Sequence, residues 1–127
     1  MNKVLIGLGS NLNPEENILL ARLTLSKTFT ILKESSFRKT RPIQHTLNHF
    51  FLNGCIYLET HLDLPALKNE LQTIEQKMGR GLQTEMTQGH PIDLDILVWN
   101  HHIIHPDVHN YPFIREAILE ILPGLDI

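Results

Sequence analysis

The chain has a single cysteine, Cys55, so no intrachain disulfide can form and a reducing compartment is expected. Cys55 lies in an apolar, strand-like run and reads as a buried thiol. No hydrophobic run approaches membrane-spanning length. The opening Val4-Leu5-Ile6-Gly7-Leu8-Gly9 is too short and too broken by glycine for a signal segment, so the protein is expected in the cytoplasm with no membrane partner. Positive charge is not in excess either: 11 Lys and Arg stand against 14 Asp and Glu, giving a net charge of −3 without basic clusters. That removes the electrostatic footprint of nucleic-acid binding and leaves a small molecule as the expected partner. What is present is 127 residues, 42% of them apolar, which suffices for one core and a single domain over 1–127, expected to be a monomer.

The most informative stretch is Ile92-Asp93-Leu94-Asp95-Ile96-Leu97-Val98-Trp99. Strict alternation puts Ile92, Leu94, Ile96 and Val98 on one face of a strand, which reads as core, with Asp93, Asp95, Leu97 and Trp99 on the other. The two carboxylates then point the same way, roughly 7 Å apart along the strand. Like charges that close repel unless a cation sits between them, and paired oxygen ligands suit Mg²⁺ with a phosphate substrate. For an Asp-x-Asp taken alone, a solvated acidic face is the commoner reading, so the rest of the chain must decide.

Val4 to Leu8 alternates as a strand. Gly9-Ser10-Asn11 turns the chain into a helix with Asn13 as N-cap, Pro14 at its first position and a buried stripe of Ile18, Ala21 and Leu25. Gly7-Leu8-Gly9-Ser10-Asn11 lacks both the GxGxxG and GxxxxGK patterns, so it reads as a plain strand-to-helix turn and not a phosphate loop. An extended run from Phe29 through Phe37 ends at Arg38-Lys39-Thr40-Arg41-Pro42. The segment 43–49 is polar, His-rich and without period, hence a loop. A strand from Phe50 to Thr60 carries Asn53 on the face of Phe51 and Cys55. A helix capped by Asp63, with Leu67, Leu71, Ile74 and Met78 at helical spacing, stops at Gly79. Gln72 and Glu75 on that helix have a solvated polar face as their default account. After the Asp-x-Asp strand come a His-rich segment and a short helix from Pro112 to Leu122. His101, His102, His105 and His109 fit a zinc site only loosely. The order of strand, helix, strand, strand, helix, strand is the ferredoxin-like βαββαβ pattern, an α+β fold with an antiparallel sheet, helices packed on one face, and a short C-terminal helix.

Laid out in this way, the chain resembles the 6-hydroxymethyl-7,8-dihydropterin pyrophosphokinase family. Six ordered pieces carry the likeness: Ile6-Gly7-Leu8-Gly9-Ser10-Asn11-Leu12; Ser35-Ser36-Phe37 with Thr40 and Pro42; Phe51-Leu52-Asn53; Ile74-Glu75 with Gly79-Arg80; Ile92 to Leu97; and His105-Pro106 with His109 and Phe113. The resemblance implies the same ferredoxin-like fold and transfer of pyrophosphate from ATP to a pterin alcohol. It implies that Asp93 and Asp95 hold two Mg²⁺ ions, that Asn53 reads the pterin edge and that Phe113 stacks on its ring. Thr40, Arg41 and Ile43 fall where loop residues contact the pterin. Gln72, Glu75, Ile96 and His105 match nucleotide-contacting positions, and Arg80 matches an arginine of the catalytic loop.

The departures concern charge. Where the family carries lid arginines and a Trp, this chain has Leu82, Met86, Thr87 and His90, and Tyr111 replaces another arginine. The connection from Trp99 to His105 is also shorter. His90 could stand in for an arginine only while protonated. Two readings follow: an active pyrophosphokinase, and a non-catalytic pterin- or nucleotide-binding paralogue that has lost its cationic lid. The intact carboxylate pair favours the enzyme, because a binding protein has little use for two repelling charges.

Overall fold

The computed structural model describes residues 1–41, 50–79 and 89–127. In chain order the elements are β1 (Asn2–Ser10), α1 (Pro14–Thr28), β2 (Thr30–Glu34), β3 (Arg38–Thr40), β4 (Phe51–Thr60), α2 (Leu64–Lys77), β5 (Asp93–Trp99), β6 (His102–Ile103), α3 (Asp107–Asn110) and α4 (Pro112–Ile121). The strands form one sheet in the order β2-β4-β1-β5-β6, with β3 also on β4, and every pair is antiparallel. This is the ferredoxin-like arrangement: the first strand is central, and its partners come from the two ends of the second half-motif.

β1 is buried on both faces because both faces are covered. Val4, Ile6 and Leu8 meet Ile18, Ala21 and Leu25 of α1 and Leu67, Leu71 and Ile74 of α2. Leu5 points the other way, into a second cluster with Val108, Ile118 and Ile121. The C-terminal helices therefore close the opposite face of the sheet. They leave its far end open, and the candidate site lies there.

Three expectations are corrected. The alternation of β5 breaks at Leu97: Ile6 pairs with Ile96 but Leu5 pairs with Val98, so one residue is extra. This bulge puts Leu97 and Val98 in the same cluster and turns Trp99 toward the first core. Val98 is thus on the carboxylate side of the sheet. Asn13 makes no side-chain cap; it sits in the left-handed region at φ 42°. The turn is held instead by Asn17 Nδ2, which donates to the Leu12 carbonyl at 2.6 Å, and by Ser10 Oγ, which donates to the same carbonyl at 3.1 Å. Finally, Arg38–Thr40 does not end a strand but forms β3, paired with Phe51–Asn53 along the same edge of β4 that β2 uses further on. Asp63 does cap α2, accepting the Ala66 N–H at 2.9 Å, and Gly79 leaves the helix end at φ 99°.

Candidate active site

The sheet register builds the site. Gly9 of β1 lies opposite Asn53 of β4 on one side and Asp93 of β5 on the other; Gly7 lies between Cys55 and Asp95. Directly opposed residues share a face, so Asn53, Asp93 and Asp95 all stand on the side left open by α4. The glycines are required by close approach. A Cβ on Gly9 would be 2.8 Å from Asn53 Oδ1, and one on Gly7 would be 2.9 Å from Leu97 Cδ1. They form the floor, and Asn53 and the carboxylates form opposite walls two strand spacings apart, about 10 Å.

That floor belongs to a pocket of about 700 Å³, partly open to solvent, lined by Thr40, Arg41, Phe51, Asn53, Asp93, Asp95, Asp107 and Phe113 among others. Asn53 Nδ2 donates to Thr40 Oγ1, which fixes the carboxamide plane. Phe113, at the start of α4, lies with its ring centroid 5.8 Å from that of Tyr111, tilted by 33°. Cys55 is in the wall but is no nucleophile, since burial pushes its thiol up to about 12.

A second pocket, of about 1230 Å³, opens along the outer edge of β5. Its walls include Lys68, Leu71, Gln72, Glu75, Ile96, Ile104 and His105, and also Asp93 and Asp95. Glu75 is more than a solvated helix residue, because its carboxylate accepts the Leu94 N–H at 2.8 Å and ties α2 to β5. That N–H points away from β1, so the next outward-facing backbone groups on this edge are those of Ile96. His105 Nδ1 accepts the Asp107 N–H at 3.1 Å, and its Nε2 lies 3.9 Å from Asp95 Oδ1.

The structure thus brings Thr40, Arg41, Asn53, Asp93, Asp95 and Phe113 into the first pocket and Gln72, Glu75, Ile96 and His105 into the second. His90 lines neither: its N–H donates to Asn11 Oδ1 and its carbonyl accepts the Asn11 N–H at 3.1 Å, pinning the segment before β5 to the end of β1. Ile43 and Arg80 lie outside the described residues, as do Leu82, Met86 and Thr87. Among the described residues no three His, Cys, Asp or Glu side chains converge on a metal position, so the histidines from His101 to His109 do not make a zinc site. Sequence reasoning missed Asp107, Lys68 and the floor glycines. Gly7 and Gly9 alternate with core residues in a strand, and that was the available signal. No helix among the described residues is long and apolar enough to cross a membrane.

The molecule is thus an α+β domain with a split βαβ sheet and two pockets that share one carboxylate pair. Comparison with known proteins gives the family. A sequence model described as 7,8-dihydro-6-hydroxymethylpterin-pyrophosphokinase matches residues 5–123, and the chain belongs to that family. It is 33% identical to the 2-amino-4-hydroxy-6-hydroxymethyldihydropteridine pyrophosphokinase of Haemophilus influenzae, over 94% of this chain and 81% of that one. The enzyme of the same name from Porphyromonas gingivalis is 29% identical over 96% of this chain and 92% of its own length. A folate synthesis bifunctional protein of Arabidopsis thaliana is 31% identical over 98% of this chain, which spans 28% of that longer protein.

Proposed function

We propose that the chain transfers the pyrophosphoryl group of ATP to the hydroxymethyl group of 6-hydroxymethyl-7,8-dihydropterin, releasing AMP. The observation that carries this reading is that Asp93 and Asp95 line both pockets. Two substrates bound side by side would then present their reacting atoms to the same pair of carboxylates.

In the first pocket, Phe113 and Phe51 are the aromatic residues beside the space a flat heterocycle would take, and the Asn53 carboxamide, held by Thr40, would read its polar edge. The pterin hydroxyl is thereby aimed at the carboxylate end. In the second pocket the backbone edge at Ile96 meets the base, and Gln72 and Glu75 stand beside the nucleotide. Attack of the pterin hydroxyl oxygen on the β-phosphorus forms one P–O bond, breaks the bond to the bridging oxygen of the α-phosphate and releases the hydroxyl proton to solvent. The bridging oxygen leaves with AMP. The two carboxylates at the junction offer hard oxygen donors of the kind Mg²⁺ takes. Asp93 and Asp95 would hold the ions, which when bound neutralise phosphate charge. Arg41 in the first pocket is a cation available from this chain, and Arg80 is a second by resemblance. The protein acts on small molecules and is read as a cytoplasmic monomer.

The test is AMP release from ATP and Mg²⁺, with and without the pterin, in the wild type and Asp95→Ala. Pterin-dependent AMP that drops by roughly 10²- to 10³-fold in the variant, at unchanged folding, is the expected result, since removing preorganised charge stabilisation costs on the order of 3–4 kcal/mol per group. Saturable pterin binding without AMP would instead identify a binding protein.

A further inference from the structure

α2 presents one stripe to the second pocket: Leu64, Lys68, Leu71, Gln72 and Glu75, at helical spacings of three and four. The helix has a fixed direction over β5. At its C-terminal end Glu75 holds the Leu94 N–H, beside the carboxylate pair. At its N-terminal end the preceding Leu62 carbonyl accepts from Asn2 Nδ2, and Asn2 Oδ1 accepts from Asn100 Nδ2, just past the end of β5. Helix and strand are antiparallel. Lys68, seven residues before Glu75, therefore overlooks the pocket about 10 Å from the carboxylate end, over Ile96 and near Ile104, whose N–H donates to the Leu97 carbonyl.

We propose that Lys68 is a nucleotide-positioning residue that contacts the base–ribose end of ATP. The inference rests on the second pocket being the nucleotide pocket. With the triphosphate at Asp93 and Asp95, the nucleoside extends along the β5 edge toward Ile96 and Ile104. Among the described walls Lys68 is the one Lys or Arg side chain, with Gln72 and His105 as its polar neighbours and Leu64, Ile96 and Ile104 as apolar ones, and its ammonium supplies three donors to ring-nitrogen or ribose-hydroxyl acceptors.

The experiment is calorimetric binding of Mg·ATP and of Mg·tripolyphosphate, which has the phosphates without base or ribose, to the wild type, Lys68→Met and Lys68→Arg, with kcat and both KM values alongside. Lys68→Met should weaken ATP five- to tenfold and raise its KM equally, leave tripolyphosphate, kcat and the pterin KM within twofold, and be restored in large part by Lys68→Arg. Equal ATP affinity in wild type and Lys68→Met would overturn the proposal alone, and so would equal loss of ATP and tripolyphosphate, which places the ammonium on the phosphates. A wild type that binds no nucleotide would remove this inference together with the functional reading it rests on.

Discussion

Gly9 is the residue whose replacement most directly tests the first pocket. A methyl group there would stand 2.8 Å from Asn53 Oδ1, so the carboxamide must turn out of the plane in which Thr40 holds it. Gly9→Ala should raise the pterin KM tenfold or more while costing only ~1–3 kcal/mol of stability, the usual range for an overpacked methyl. Steady-state kinetics with thermal denaturation checks both, and an unmoved pterin KM would take Asn53 off the substrate. Leu58 is the contrast. It is fully buried in the first core, away from either pocket. Leu58→Ala should cost ~2–5 kcal/mol and leave both KM values in place at temperatures where the variant is folded. At this scale the sequence was half legible. Alternation alone put Asn53 beside Cys55 and Asp93 beside Asp95. The facing of Asn53 and Gly9 depends on a β1–β4 register set between segments more than forty residues apart, and nothing local encodes it.

Among the elements, α4 walls the first pocket without belonging to the βαββαβ core. Its inner residues, Ile118 and Ile121, pack on the sheet, and its outer edge is tied to the β2–β3 break. Glu120 accepts the Ser36 N–H at 2.8 Å and the Ser36 hydroxyl at 2.9 Å, and Arg38 lies 3.2 Å from Glu116 and 3.6 Å from Glu120. The Ser36 backbone N–H, followed by its hydroxyl, holds the Glu120 carboxyl below its ordinary 4.5, with Arg38 adding to the effect. A carboxyl whose folded pKa is lowered stabilises the fold above its unfolded pKa, and that contribution is lost as pH falls through the folded value. The wild type should therefore lose melting temperature more steeply than Glu120→Gln below pH 4.5, and the two curves should run parallel above pH 6. Parallel curves throughout would mean the tie contributes nothing. Neither this strap nor the Leu97 bulge was legible. Both arise from tertiary pairing, the bulge because β5 must leave β1 one residue out of step, and it reverses the face that alternation assigned to Val98.

For the molecule as a whole, the order of elements was legible because hydrophobic period changes cleanly from two to 3.6 along the chain, and the ferredoxin-like topology follows from that order. The meeting of two pockets at one pair of carboxylates was not. It requires that β5 be paired with β1 on one side while, among the described residues, the only strand on its other edge is β6, paired at Val98 and Trp99. That arrangement makes a coupling between binding and stability. Ligands that bind only the folded state add RT ln(1 + [L]/Kd), about 2.7 kcal/mol at a hundredfold excess over Kd. For a domain of this size that is a rise of roughly 10 °C in melting temperature. Mg²⁺ with a non-hydrolysable ATP analogue should produce such a rise in the wild type. In Asp95→Ala it should be nearly absent, although the variant alone melts within a few degrees of the wild type, because Asp95 is a half-buried wall residue and not part of the core. A pterin analogue added without Mg²⁺ should still shift both proteins, since Asn53, Thr40 and Phe113 are intact in each. If instead the Mg²⁺–nucleotide shift survives Asp95→Ala undiminished, the carboxylates are a wall of the pocket only, and the junction of the two pockets would have to serve some chemistry other than phosphoryl transfer.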